Sequence, residues 1–137
     1  MKPTDLRGIL HYIPQFRDKV FVLAIDGAVV DDDNFSNLLL DVAVLRSLNI
    51  RIVIVHGAGY QIKRLAQALN EPLSNADGTG ITDSSTLRLA MMAANQVTHE
   101  ILEGLALHNL RAAHTNPRQT RSSMPSIGPS TAVFIQA

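Results

Sequence analysis

The sequence predicts an α/β domain built on parallel strands. Two runs rich in β-branched residues, Val20–Ile25 and Ile50–Val55, flank an apolar segment of helical length, Phe35 to Leu48. Each run stops at glycine, in Asp26-Gly27-Ala28 and in His56-Gly57-Ala58-Gly59. Strand, helix, strand in that order is a βαβ unit, and its crossover is right-handed in nearly all known cases. Both strand ends and their loops therefore point to one edge of the sheet, the edge where α/β proteins bind ligands.

Along the chain, Thr4 caps a first amphipathic helix on which Leu6, Ile9, Leu10 and Ile13 recur at helical spacing, until Pro14 withholds a backbone donor. The continuous apolar run Val20–Ile25 reads as a strand buried on both faces. Asn34 is placed to cap the next helix, which is apolar over much of its circumference and expected to be largely buried. Asn49 can end it in the left-handed conformation. After the second strand, Tyr60 to Leu69 forms a helix with Ile62, Leu65, Ala66 and Leu69 inward and Lys63, Arg64 and Gln67 outward. Residues 70–81, with Gly78 and Gly80, read as a loop or small hairpin. Thr82 or Asp83 then caps a long helix whose expected inward stripe is Leu87, Ala90, Met91, Ala94, Val97, Ile101 and Leu105, with the methionine as core packing. Residues 117–137 hold three of the six prolines, four serines and no acid, with no periodicity until Ala132-Val133-Phe134-Ile135, a run too short to identify, so they are expected to be an unstructured or poorly packed tail.

Composition narrows the function. At 137 residues there is room for one domain, since domains run to about 100–150 residues. The chain is 46% hydrophobic and 18% charged, with twelve basic and twelve acidic residues, so no overall field draws it to nucleic acid or an anionic membrane. It has no cysteine, which excludes disulfides, thiolate metal sites and thiol nucleophiles. No segment has the length of a membrane span and the start does not read as a signal peptide, so a cytoplasmic location is expected.

The candidate site is the pair of loops at the strand ends: Gly27 on the first, and His56, Gly57, Ala58 and Gly59 on the second. Glycines there either admit a ligand close to the backbone or merely make tight turns. The N–H groups opening the following helix suit a carboxylate or phosphate. His56 either orients a ligand or bonds neighbouring backbone. The run Asp31-Asp32-Asp33 lacks the alternating ligands of a calcium loop and precedes a helix, where acids complement the dipole, so it reads as a solvated face. No metal ligand set, paired catalytic carboxylates or nucleophile elbow is found, and no catalytic residue is assigned.

The stretch FRDKVFVLAIDGAVVDDDNFSNLLLDVAVLRSLNIRIVIVHGAGYQI resembles the kinase-like N-terminal domain of the N-acetylglutamate synthases, part of the amino-acid kinase superfamily. Gly80-Ile81-Thr82-Asp83 followed by Ser85-Thr86-Leu87 is similar to that family's V-T-D-x-x-T-L helix start. The resemblance covers about residues 7–116. It implies a three-layer α/β/α fold, mainly parallel and acetylglutamate-kinase-like, with only the N-terminal part present. It also implies a place in arginine biosynthesis, where the synthase moves acetyl from acetyl-CoA to glutamate. Gly27 and the His56–Gly59 loop match the glycine-rich loops that in the kinases hold phosphates and the acylated amino acid. In synthases this domain resembles an arginine-sensing one, and acetyl transfer belongs to a separate domain, so no cofactor is expected in this chain. The ligand implied is of glutamate or arginine type, and the first helix resembles one used for homo-oligomerisation.

Departures from the family pattern carry their own implications. Ala24 stands where active kinases place a phosphate-neutralising lysine, so phosphoryl transfer is not expected. Asp26 replaces the first glycine of the first loop, Gly80 replaces an arginine that grips a ligand carboxylate, and Tyr60 replaces a proline. Beyond Asn116 the pattern is expected to end, leaving residues 1–116 as part of a kinase-like domain and 117–137 as foreign text from a truncation or frameshift. The isolated chain is then an inactive portion of an acetyltransferase, or a non-catalytic sensing or oligomerisation module.

Overall fold

The computed structural model describes residues 14–74, 81–115 and 131–136. The expected first helix lies outside these residues up to Ile13. Residues 14–16 are helical, the fixed φ of Pro14 being compatible with the first turn of a helix. β1 (Val20–Ile25) and β2 (Arg51–His56) pair in parallel from Val20 opposite Arg51 to Ile25 opposite His56. Between them run a 3-10 helix (Gly27–Asp31) and the crossover helix α1 (Phe35–Ser47). Then follow α2 (Gly59–Leu69), α3 (Ser84–Leu107), β3 (Arg111–Thr115) and β4 (Thr131–Gln136).

The sheet order is β1-β2-β4-β3, with β4 antiparallel to both of its neighbours. β1, β2 and β3 thus share one direction and β4 opposes them. This corrects the reading of 117–137 as a tail throughout: its last residues form an interior strand, with Val133 opposite Ile54 on one side and His114 on the other. The physical reason lies in T-A-V-F-I-Q itself, whose alternation buries Val133 and Ile135 and leaves Phe134 43% exposed. The Pro/Ser-rich text before it is outside the described residues.

One core holds the elements together. Ile52 and Ile54 of β2 and Val133 and Ile135 of β4 meet Leu39 and Val42 of α1 and Ala93, Ala94, Val97, Ile101 and Leu105 of α3. Ile62 and Leu65 of α2 pack against its margin. α1 and α3 approach closely at Gly104, where a Cβ would stand 2.3 Å from Leu39 Cδ1. Among the described residues no second helical layer covers the other face of the sheet. β1 is therefore buried on one side only: Phe21, Leu23 and Ile25 face the core, while Val20 and Val22 are 51% and 64% exposed. α1 is likewise less buried than its composition suggests, with Leu40 and Val44 in solvent.

The α3 stripe is rotated from the expected one. Leu87 and Met91 are exposed, and Thr86, Leu89, Ala93 and Thr98 join Ala90, Ala94, Val97, Ile101 and Leu105 inside. Small residues at 90, 93, 94 and 98 let the helix lie close on the sheet, which Met91 on that line would prevent. On α2, Leu69 is exposed and Gln61 is buried. Asparagine closes all three helices in the left-handed region, at Asn49, Asn70 and Asn109, where its short polar side chain is tolerated. Asn49 also donates from Nδ2 to Asp18 Oδ1 at 2.7 Å, and Arg51 donates to the Asp18 carbonyl at 2.8 Å, which pins the start of β1 to the start of β2.

Candidate functional site

The ends of β1 and β2 bring the two predicted loops into contact. Gly57 N–H donates to the Ile25 carbonyl at 3.3 Å, carrying the pairing one step beyond the strands. The first loop then turns at once into the 3-10 helix because the Asp26 carboxylate accepts from Ala28 N–H at 3.0 Å and caps it. That donor is thereby engaged within the chain.

The second loop is open by comparison. α2 starts at Gly59, Ala58 supplies no side-chain cap, and there is no acidic residue in the first turn. The first backbone bond of the helix runs from Ile62 N–H to the Ala58 carbonyl at 2.9 Å. The donors ahead of Ile62 have no carbonyl behind them, so this end offers N–H groups and the positive end of the dipole. At Gly57 and Gly59 a Cβ would meet nothing within 4 Å, so there is open space beside the backbone.

Gly27 is a glycine for a different reason. A Cβ there would lie 2.2 Å from Gln61 Oε1 and 2.7 Å from the Gly57 carbonyl oxygen. Gln61, 3% exposed, reaches back from α2 and donates from Nε2 to the Gly27 carbonyl at 2.7 Å. Its carboxamide is a strut between the loops, and its Oε1 is a buried acceptor with no partner among the described residues. Composition hid this residue, but its helical spacing to Leu65 places a polar group on the inward face of α2.

His56 is not where a ligand-orienting residue would be. It is 1% exposed, with Nε2 2.9 Å from Thr98 Oγ1 and Nδ1 3.4 Å from the Gly57 carbonyl oxygen. Thr98 in turn donates to the Ala94 carbonyl at 2.8 Å, so Nε2–H is the donor to Thr98 and the neutral ring has its proton there. Burial pushes the His56 pKa down, against a smaller upward pull from the Gly57 carbonyl. The ring therefore braces the second loop from below and ties it to α3. Thr98 was legible as a polar position on the 94, 98, 101, 105 line of α3.

Other singled-out residues stay outside this cluster. Asp31 pairs with Arg64 of α2, whose guanidinium lies 5.6 Å from the Tyr60 ring centroid. Asp32 accepts from Asn34 N–H at 2.8 Å. Among the described residues, no group of three or more histidine and acidic side chains is placed to hold a metal ion. No described helix is long and apolar enough to cross a membrane. Asp83 caps α3, its Oδ1 accepting from Thr86 N–H at 2.8 Å, and this bond chiefly lowers its pKa. Gly80 lies outside the described residues.

Comparison with known proteins gives the same assignment. The amino-acid acetyltransferase of Vibrio cholerae is 36% identical over 96 residues, 70% of this chain and 22% of that protein. The amino-acid acetyltransferase of Salmonella typhi is 39% identical over 124 residues, 84% of this chain and 28% of that protein. The solved N-acetylglutamate synthase of Neisseria gonorrhoeae, complexed with coenzyme A and N-acetyl-glutamate, superposes with a TM-score of 0.64 at 30% identity, over 77% of this chain and 25% of that one. Its complex with coenzyme A and L-arginine also gives 0.64, at 26% identity, over 93% of this chain and 28% of that one. The chain thus spans about a quarter of the length of the relatives it matches. The model of the "Amino acid kinase family" matches residues 19–135, past Asn116 where the likeness was expected to end and into β4. With that match over most of its length, on a sheet whose glycine loops meet at the strand ends, the chain belongs to the amino acid kinase family.

Proposed function

We propose that this chain is the kinase-like module of an N-acetylglutamate synthase type of protein, and that it binds the carboxylate of an amino acid of glutamate or arginine type without transforming it. The observation that carries the reading is the open, uncapped start of α2 beside Gly57 and Gly59, held against the Gly27 loop by Gln61. Gly27, Gly57, Ala58 and Gly59 form the proposed site, and His56 supports it from beneath. Phosphoryl transfer is disfavoured because Ala24, at the end of β1, offers no cation to a transferring phosphate. Acetyl transfer from acetyl-CoA to glutamate, in arginine biosynthesis, is the activity proposed for the longer polypeptide type, in the cytoplasm. Self-association is proposed through the open sheet face at Val20, Val22 and Phe134.

A thermal-shift series with L-arginine, L-glutamate, N-acetyl-L-glutamate and ATP tests the reading. A ligand at 100 times its dissociation constant adds about 2.7 kcal/mol of stability. One of the amino-acid ligands is expected to shift the transition and ATP is not. No shift with any of them removes the binding reading, and glutamate acetylation by the pure 137-residue chain would overturn its non-catalytic character.

A further inference from the structure

We propose that the outer edge of β1 pairs with the same edge of a second copy of this chain, antiparallel about a twofold axis at Val22, so that the two sheets become one. The inference rests on the self-association proposed above and gives it a register. Among the described residues β1 and β3 are the outer strands of the sheet. β3 is short and carries Arg111 and His114, which guard its edge. β1 has the six residues Val-Phe-Val-Leu-Ala-Ile, with no charge and no proline, so nothing in it resists pairing. The Lys19 carbonyl accepts from Arg51 N–H at 3.0 Å and the Ile25 carbonyl accepts from Gly57 N–H at 3.3 Å, so the odd-numbered residues turn their backbone groups toward β2. Alternation turns the N–H and C=O groups of Val20, Val22 and Ala24 the other way, where they have no strand partner among the described residues.

Three outward residues at equal spacing complement themselves. With Val22 opposite Val22 of the partner subunit, Val20 meets Ala24 of the partner subunit and Ala24 meets Val20 of the partner subunit, which makes about six backbone hydrogen bonds. A shift of two residues loses one of these pairs, and a shift of one sets outward groups against inward ones. The same register keeps each face with its like. Phe21 meets Leu23 of the partner subunit on the helix-covered side. On the open side the row Val22, Val53 and Phe134, which the strand register aligns, continues into its own copy. Val20 and Val22, 51% and 64% exposed, thereby gain apolar neighbours across the new pair. Beyond the ladder Asp26 comes opposite Asp18 of the partner subunit, and that like-charge pair ends the pairing.

The chain has no cysteine, so substitutions to cysteine report the register through disulfide formation. A disulfide needs Cα atoms within about 7 Å, and opposed residues of an antiparallel hydrogen-bonded pair stand about 5.5 Å apart. In this register Val20 and its own copy are about 14 Å apart, and Phe134 and its copy about 24 Å. The full chain carrying Val22→Cys, held in an oxidising glutathione buffer at a concentration where the wild type sediments as a dimer, is expected to become a disulfide-linked dimer. Val20→Cys and Ala24→Cys are each expected to stay unlinked, and the double variant of the two is expected to link. Absence of linking by Val22→Cys, or linking by Val20→Cys alone, overturns the edge pairing. If Phe134→Cys links instead, the contact runs through the sheet face, and the self-association reading stands without this register. A wild type that sediments as a monomer at every concentration overturns both.

Discussion

Replacement of Gly27 by alanine tests the contact on which the whole site depends. The added Cβ would stand 2.2 Å from Gln61 Oε1 and 2.7 Å from the Gly57 carbonyl oxygen. The glutamine can swing away, but only by giving up its 2.7 Å bond to the Gly27 carbonyl, and the Gly57 oxygen is backbone and must move with its loop. Loss of one buried hydrogen bond costs about 1 kcal/mol, and an extra methyl in packed surroundings costs about 1–3 kcal/mol, so a total of about 2–4 kcal/mol is expected. That corresponds to a fall in Tm on the order of 10 °C for a chain of this size. The assay is urea and thermal unfolding followed by far-ultraviolet circular dichroism, with Gly57→Ala and Gly59→Ala as companions. Those two have open space at the Cβ position and should change stability by less than about 1 kcal/mol. If Gly27→Ala unfolds with the companions, the loops are not coupled through Gln61 and the site as described does not exist.

The remaining expectations concern what surrounds that contact. Thr98→Val leaves His56 Nε2 without a partner in a site that water does not reach, and should cost about 1–3 kcal/mol, with Thr98→Ser restoring most of it. Because burial lowers the His56 pKa, the unfolded chain takes up its proton first as pH falls. The neutral ring's contribution is thus complete above the ordinary histidine pKa of about 6.5 and is lost below it, and a His56→Gln variant should show a shallower fall of Tm between pH 7 and 5. Asp83 has the opposite charge and the same direction in pH. Its lowered pKa means that its cap stabilises α3 above the ordinary carboxylate range and is lost as pH falls through the lowered value, so Asp83→Asn should flatten the acid limb of the unfolding curve. Finally, Val22→Lys places a charge in the middle of the open sheet face and should shift sedimentation towards the monomer; a wild type that sediments as a compact monomer removes the reason for the experiment.

The parts of the fold that were legible are those where one short stretch states its own period. V-F-V-L-A-I and R-I-V-I-V, followed within two residues by glycine, define β1, β2 and their shared edge without any long-range information. Asn49 announced the end of α1 because few residues accept φ 63°. What failed depended on partners far away in sequence. Whether Val22 is covered is decided by what lies on the outer face of the sheet, and an apolar run alone does not contain that. The α3 stripe could be drawn along Leu87 and Met91 or along Leu89, Ala93 and Thr98. The close approach of α3 to the sheet decides for the second set, because it favours small side chains over long ones. β4 was not identifiable from its own text: the apolar run Ala132 to Ile135 is too short to state a strand after a stretch rich in proline and serine, and its place depends on β2, some 80 residues earlier.

The site divides along the same line, and the division bears on what a glycine loop means. Gly27, Gly57 and Gly59 look equivalent in the sequence, and each invites the same explanation of backbone approach to a ligand. Only Gly57 and Gly59 keep open space at the Cβ position; the space at Gly27 is filled by the protein's own carboxamide. A neighbour filling the space makes Gly27 a condition for joining the loops, and open space makes the other two the side from which a ligand can come. The same reasoning separates His56 from Asp26. Polar residues at strand ends alternate between core and solvent with the pleat, and pairing with Ile25 puts His56 on the face that α3 covers. Asp26, one step past β1, stays in solvent and caps the 3-10 helix. The residue that a sequence reader credits with ligand chemistry is thus bound by the protein itself, to Thr98 of α3, and the aspartate that looked like an obstacle to an anion holds the start of the 3-10 helix.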